Sequence, residues 1–290
     1  MTEPNLNEKY QRLQEILRGY GSVCVAFSSG VDSTFLLQAA HDALGDQVLA
    51  ITTTAPWFPL RESHETRIFC DERGIRHLIV SIDEHQIPQI RDNPPDRCYH
   101  CKKALFRNMQ KIAAEHGIDV IAEGSNTDDD IDYRPGHIAI RELGVASPLR
   151  EAGLSKAEIR EMSREMGLPT WNKPSFACLA SRFPYGETIN DVKLRMVELA
   201  EDFLLEQGFT QMRVRIHESI SGDMVGRIEL PEEDIPRMMA AGLRDRVRAE
   251  LETIGFDYVS LNLAGFQTGS MNRTLNAETL QQGQREECTE

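Results

Sequence analysis

The sequence predicts an α/β fold: a parallel, doubly wound sheet followed by a smaller C-terminal α+β domain. Three features carry this expectation. Val23–Phe27 is an unbroken apolar run, as in a strand covered on both faces. Short apolar strands then alternate with stretches of helical spacing up to residue 167, which implies parallel neighbours joined by right-handed crossovers. From Asp191 the order changes to helix, two strands, helix, strand.

Taken in order, residues 5–19 have the spacing of an amphipathic helix, and Val23–Phe27 is the first strand. The helix STFLLQAAHDALG ends at Gly45, and QVLAITTT is the second strand. Leu60–Arg73 is helical and stops at Gly74; RHLIVSI is the third strand. Lys102–His116 is a helix closed by Gly117, and DVIAEG is the fourth strand. An acidic loop, SNTDDDIDYRPG, and a short helix lead to ASPL, expected as a fifth strand. One more helix covers 155–167. WNKPSFACLASRFPYGETIN is too irregular for a regular element, and a loop of that length in a compact domain points to function or disorder. A helix then runs to about Gln207, QMRVRIH and MVGRIEL are strands, 232–253 is a helix and DYVSLNL is the last strand. The expected domains are 1–186 and 187–272, with a disordered tail at 273–290.

At 290 residues the chain has room for two domains. It contains no run of about 18 or more apolar residues, and its first residues lack the basic flank and apolar run of a secretory signal. A cytoplasmic location is expected. The net charge of −14 argues against a large nucleic-acid substrate, whose binding is carried by basic contacts to phosphate. It leaves a small anionic substrate open.

The loop Ser28–Ser33, SSGVDS, joins the first strand to its helix. Backbone N–H groups in such a turn and the positive end of the helix suit phosphate. Gly30 permits close backbone approach, Val31 belongs to the same phosphate-binding loop, and Ser28, Ser29 and Ser33 supply hydroxyl donors. Asp32 is placed to hold Mg²⁺ or to cap the helix. A plain capping turn is the alternative. The loop lacks GK[ST] and is no Walker motif. It resembles the PP-loop, SGGxDS, of ATP pyrophosphatases, which implies ATP, Mg²⁺ and an adenylated intermediate. Ser29 departs from that pattern by replacing the first glycine. The loop tolerates this unless the position requires a positive φ.

Cys98 and Cys101 form RCYHCKK at the start of a helix, where thiolate is favoured, and Cys178 lies in the long loop. Three readings stay open. The thiols hold a [4Fe–4S] cluster with one free corner, they hold zinc with His100 or another fourth ligand, or they act independently with Cys178 as a nucleophile. Cys24 and Cys70 fall in apolar patterns and are expected as buried filler; Cys288 lies in a polar tail.

Together with RCYHCKK and WNKPSFACLASRFPYG, the phosphate loop resembles that of the LarE family. These are ATP-dependent sulfurtransferases that mature the nickel-pincer nucleotide cofactor of lactate racemase. The resemblance extends through DYRPG at 132–136, RVRIH at 213–217, RIELPE at 227–232 and GFQTGSMN at 265–272. It implies adenylation of the carboxylates of pyridinium-3,5-biscarboxylic acid mononucleotide and displacement of AMP by sulfur. It also implies a sulfide or other sulfur donor and a homo-oligomer. Some members destroy their own cysteine, at a position that is Ala177 here; three cysteines align this chain with the cluster-bearing type. By the same resemblance Arg213 and Arg215 hold the substrate phosphate, and Glu201 and Glu229 match positions associated with metal. Lys102 and Arg182 are further catalytic candidates, since cations stabilise charge at the reacting centre, and Ser181 is one because it sits beside Cys178. Asp128, Asp129 and Asp130 are read as a solvated loop or part of the site, and Trp171 and Phe183 as loop packing or part of the site.

A tRNA thiolase with a PP-loop and three cysteines is the main rival, and it requires a basic surface. An amide-forming PP-loop enzyme gives the cysteines no role. A non-catalytic nucleotide sensor binds ATP without releasing pyrophosphate.

Overall fold

A computed structural model describes residues 5–82, 87–131, 135–174, 177–267 and 269–275. The chain divides into two compact units. One takes in residues up to Ile87 and from Asp96 to the loop before Ala177; the other takes in Pro88–Pro95 and the chain from Ala177 onward.

In the first unit, α1 (Leu6–Tyr20) opens with a reciprocal cap between Asn5 and Glu8. Then come β1 (Val23–Ala26), α2 (Val31–Leu44), β2 (Val48–Thr54), α3 (Leu60–Arg73) and β3 (Arg76–Ser81). Gly74, left-handed at φ 65°, ends α3. The unit continues with α4 (Arg97–Glu115), β4 (Ile121–Ala122), α5 (Gly136–Glu142), α6 (Pro148–Glu151) and α7 (Lys156–Glu165). The four strands are parallel in the order β3-β2-β1-β4, the expected α/β sheet.

Alternation along β1 and β2 sorts the core into two faces. Val23, Val25, Val48 and Ala50 pack with Leu13, Leu17, Phe35 and Ile159 from α1, α2 and α7. Cys24, Leu49 and Ile51 point the other way, onto Phe106, Met109 and Ile140 from α4 and α5. Cys24 and Cys70 are fully buried, as expected, and burial pushes both thiols up to about 12.

ASPL is not a fifth strand. Ala146 makes only an isolated parallel bridge to Ala122, and Pro148 then opens α6. Proline has no N–H for a ladder and fits the first turn of a helix.

In the second unit, Asn190 caps α8 (Asp191–Glu206). Next come β5 (Arg213–Glu218), β6 (Met224–Glu229), α9 (Ile235–Met238), α10 (Ala241–Ile254) and β7 (Tyr258–Leu261). Strand β6 is central, antiparallel to β5 and parallel to β7. The helix expected over 232–253 is broken: Ala240, with ψ 128°, leaves the helical region between α9 and α10. Leu194, Val197, Leu204, Phe209, Val214, Ile216, Leu251 and Phe256 fill the core. Pro88–Pro95 belongs here through Asn93, which is buried and left-handed at φ 47°. Its amide donates to the carbonyls of Phe183 and Pro184, at 2.9 and 2.7 Å.

Candidate functional site

Strand β1 ends directly at the loop Ser28–Ser33, at the carboxyl edge of the sheet where ligands bind α/β folds. Gly30 is the extended N-cap of α2, and Val31 is its first residue. The loop is tied to itself: the Ser28 and Ser33 hydroxyls lie 3.1 Å apart, and Ser33 Oγ donates to the Gly30 carbonyl at 3.2 Å. Gly124, at the end of β4, backs onto the loop. A Cβ there would stand 3.1 Å from the Ser33 nitrogen.

Ser29 answers the question its substitution raised. Its φ is 55°, so the position does require a conformation natural to glycine. The loop keeps it through contacts from two other segments. Ser29 Oγ donates to Glu65 Oε2 of α3 at 2.5 Å. Lys173 Nζ reaches the Ser29 carbonyl at 3.0 Å and its hydroxyl at 2.9 Å, and pairs with Glu65.

Asp32, in the first turn of α2, is paired with Lys156 and accepts from Asn126 Nδ2 at 3.4 Å. Burial raises its pKa, Asp129 adds to the rise and Lys156 opposes it. In the acidic loop, Asp128 accepts from the Lys156 backbone nitrogen and Asp129 from that of Asn126. Both therefore serve local structure. Within DYRPG, residues 132–134 lie outside the described residues, as does Cys288.

Cys98 and Cys101 are one turn apart on α4, on the same face and half-buried. Arg97 Nη2 stands 3.9 Å from Cys98 Sγ. Lys102 lies against Gly136, where a Cβ would come within 2.7 Å of its Cδ. His100 pairs instead with Asp96, at 3.0 Å. Cys178 belongs to the second unit, just before a 3₁₀ turn at Leu179–Arg182. Among the described residues, no three His, Cys, Asp or Glu side chains are gathered as a metal site.

The second unit holds a network of buried charge. Arg182 and Glu201 form a two-pronged pair, both bonds at 2.8 Å. Arg182 Nη1 also donates to the carbonyl of Ala177 and to Ser181 Oγ. Arg215 donates to the Ser181 carbonyl at 2.5 Å, to Glu229 at 3.1 Å and to Ser270 at 2.6 Å. Glu201 Oε1 accepts in addition from Val214 N, and Glu229 Oε1 from Arg227. All four oxygens of Glu201 and Glu229 thus already have donors. Arg213 and Arg215 alternate on one face of β5, as expected. Arg213 lies over the Phe266 ring at 4.9 Å. Burial, then the charges of Arg182 and Arg215, bring its pKa down to about 10. Phe183 is fully buried, whereas Trp171 is partly exposed.

Sequence reasoning missed Glu65, Lys156, Lys173, Asn126 and Gly124. Glu65 sits among other charged residues of a helix, and the lysines lie more than a hundred residues from the loop; only the fold brings them to it.

No family model matches the chain. An uncharacterized protein of Synechocystis is 38% identical over 270 residues, covering 93% of this chain and 99% of that one. One component of the glutamine-hydrolyzing GMP synthase of Methanococcus maripaludis is 26% identical over 182 residues, covering 58% of this chain and 57% of that protein. Pyridinium-3,5-bisthiocarboxylic acid mononucleotide synthase of Lactiplantibacillus plantarum is 37% identical over 276 residues, covering 95% of this chain and 98% of the relative. At that identity and coverage, the chain belongs to the LarE family, the family of that synthase.

Proposed function

We propose that this chain is an ATP-dependent sulfurtransferase that converts the carboxylates of pyridinium-3,5-biscarboxylic acid mononucleotide to thiocarboxylates. The observation that carries the proposal is end-to-end similarity to a synthase of that class, joined to a phosphate loop at the carboxyl edge of a parallel sheet.

A carboxylate resists nucleophiles. Its oxygen attacks the α-phosphorus of ATP, pyrophosphate leaves, and the acyl carbon now carries AMP as a leaving group. Sulfide then adds to that carbon, the bond to the AMP oxygen breaks, and a thiocarboxylate and AMP remain. The backbone of Ser28–Ser33 and the start of α2 bind the phosphates, and Asp32 holds Mg²⁺. Lys102 and Arg182 offset charge at the reacting centre. Arg213 and Arg215 take the substrate phosphate. Arg213 supports this role: it is buried beside Arg182 and Arg215, and the charge of an arriving anion offsets their repulsion.

Soft thiol donors on one face of α4 fit iron better than a hard cation. Cys98, Cys101 and Cys178 would hold a [4Fe–4S] cluster whose free corner supplies sulfide. Cytoplasmic location and homo-oligomeric assembly complete the reading. No helix among the described residues is long and apolar enough to cross a membrane.

The test is an anaerobic incubation with Mg-ATP, sulfide and pyridinium-3,5-biscarboxylic acid mononucleotide, followed by mass spectrometry of small molecules and protein. Thiocarboxylate with unchanged protein mass is the expected result. Absence of both thiocarboxylate and AMP overturns the substrate. Binding of tRNA that weakens steeply with salt would then favour the tRNA thiolase.

A further inference from the structure

The phosphate loop carries no cation of its own: Ser28–Ser33 offers hydroxyls, backbone N–H groups and one carboxylate. A nucleoside triphosphate keeps a net negative charge even with its Mg²⁺, and a helix N-terminus offsets only about half a charge. Two lysine ammonium groups reach this loop from elsewhere in the same unit. Lys156 is engaged by Asp32. Lys173 lies directly on the loop, 3.0 Å from the Ser29 carbonyl and 2.9 Å from its hydroxyl.

We infer that Lys173 is a phosphate ligand of this loop, and that Glu65 and Ser29 hold its ammonium in place until a nucleoside triphosphate takes it over. The inference rests on reading the loop as the ATP site.

Three observations and the chemistry of lysine support it. Arg160 of α7 donates to the carbonyls of Trp171 and Lys173, both at 2.8 Å, so the turn that presents the lysine is anchored. The lysine stem is flexible and its head is a point charge, so it can change partners without moving that turn. Glu65 is 44% exposed, so water can solvate it once the lysine leaves. Ser29 is held at φ 55°, a conformation that persists in a non-glycine residue only where its surroundings impose it. Glu65 and Lys173 are those surroundings. The same two side chains therefore set the loop's shape before the nucleotide arrives and supply its missing charge afterwards.

The test compares binding of Mg-ATP and of adenosine to the full chain and to two variants, with melting temperatures recorded alongside. Lys173→Met is expected to weaken ATP by about 10- to 100-fold, the range for losing one charged hydrogen bond, and to leave adenosine unchanged. Lys173→Arg recovers part of the loss. Glu65→Gln, which keeps an oxygen to accept from Ser29 Oγ, is expected to weaken ATP far less than Lys173→Met does. If Lys173→Met leaves ATP binding unchanged, or weakens ATP and adenosine equally, Lys173 is no phosphate ligand. If Glu65→Gln weakens ATP as much as Lys173→Met does, the pair is only a structural brace and the inference falls. An unaltered chain that binds neither ATP nor adenosine overturns the ATP reading itself, and this inference with it. A chain that binds both while Lys173→Met behaves identically overturns the role of Lys173 alone.

Discussion

Arg182 and Glu201 face each other with Nε and Nη2 each 2.8 Å from a carboxylate oxygen, and neither residue is exposed to solvent. The remaining guanidinium nitrogen holds the Ala177 carbonyl and Ser181 Oγ. This pair therefore holds the backbone at Ala177 and Cys178, while Arg215 takes the Ser181 carbonyl. Glu201 also accepts from Val214 N, so the same carboxylate ties the turn to β5.

Removing either partner strands a buried charge. Glu201→Ala should lower the stability of the chain by about 3–5 kcal/mol, as for other broken buried ion pairs. Arg182→Lys should also destabilise, since a point charge cannot reproduce the planar fork. Urea unfolding followed by circular dichroism measures both. A Glu201→Ala chain as stable as the unaltered one would show that the carboxylate is not what holds this turn.

Ser29 sets two effects against each other. Ser29→Gly removes the positive-φ penalty, about 1–2 kcal/mol, but loses a hydroxyl bonded to Glu65 and Lys173. Ser29→Ala keeps the penalty and loses the bonds, which costs about 1 kcal/mol or more. Thermal unfolding should place Ser29→Gly close to the parent and Ser29→Ala below it. The reverse order would show that the backbone at residue 29 is not strained.

The parallel sheet, its helices and the phosphate loop were legible in the sequence because each rests on local signals: an apolar run, 3.6-residue spacing, a glycine stop. ASPL misled because four residues with two apolar members fit strand and helix alike, and Pro148 decides between them only through its missing N–H. The break at Ala240 left only Pro236 and Gly242 nearby as signals, since alanine itself favours a helix interior. The site divides in the same way. Ser28–Ser33 and the alternating Arg213 and Arg215 are contiguous and could be read. Lys173 and Glu65 are 108 residues apart, and no periodicity connects them.

His217, on β5, accepts from Arg227 Nε at 3.2 Å through Nε2, so the neutral ring is the form that fits. Burial lowers its pKa, the charges of Arg227 and Arg215 lower it further, and Glu229 opposes them. In the unfolded chain the ring takes a proton near pH 6.5. Below that value the unfolded state binds a proton that the folded state refuses, so this residue's contribution to stability falls as pH falls and is complete above it. His77, also lowered by burial, acts in the same direction. Urea midpoints between about pH 5 and 7.5 should decline on the acid side less steeply in His217→Gln than in the parent. Parallel curves would mean that His217 takes its proton at the same pH in the folded and unfolded chains.

The cysteines separate the competing sulfur chemistries. Under the proposed function, Cys98→Ala, Cys101→Ala and Cys178→Ala should each abolish thiocarboxylate formation while ATP still binds. Each should also lower the iron bound after anaerobic reconstitution. Cys24→Ala and Cys70→Ala should leave catalysis intact, because burial holds their thiols near 12, where thiolate is scarce. Zinc in place of iron would assign the thiols a structural site. Activity lost only in Cys178→Ala, with the unaltered chain lighter by the mass of H₂S after turnover, would make Cys178 a sacrificed donor. Full activity in all three variants would remove the cysteines from the reaction and point to an amide-forming use of the same phosphate loop.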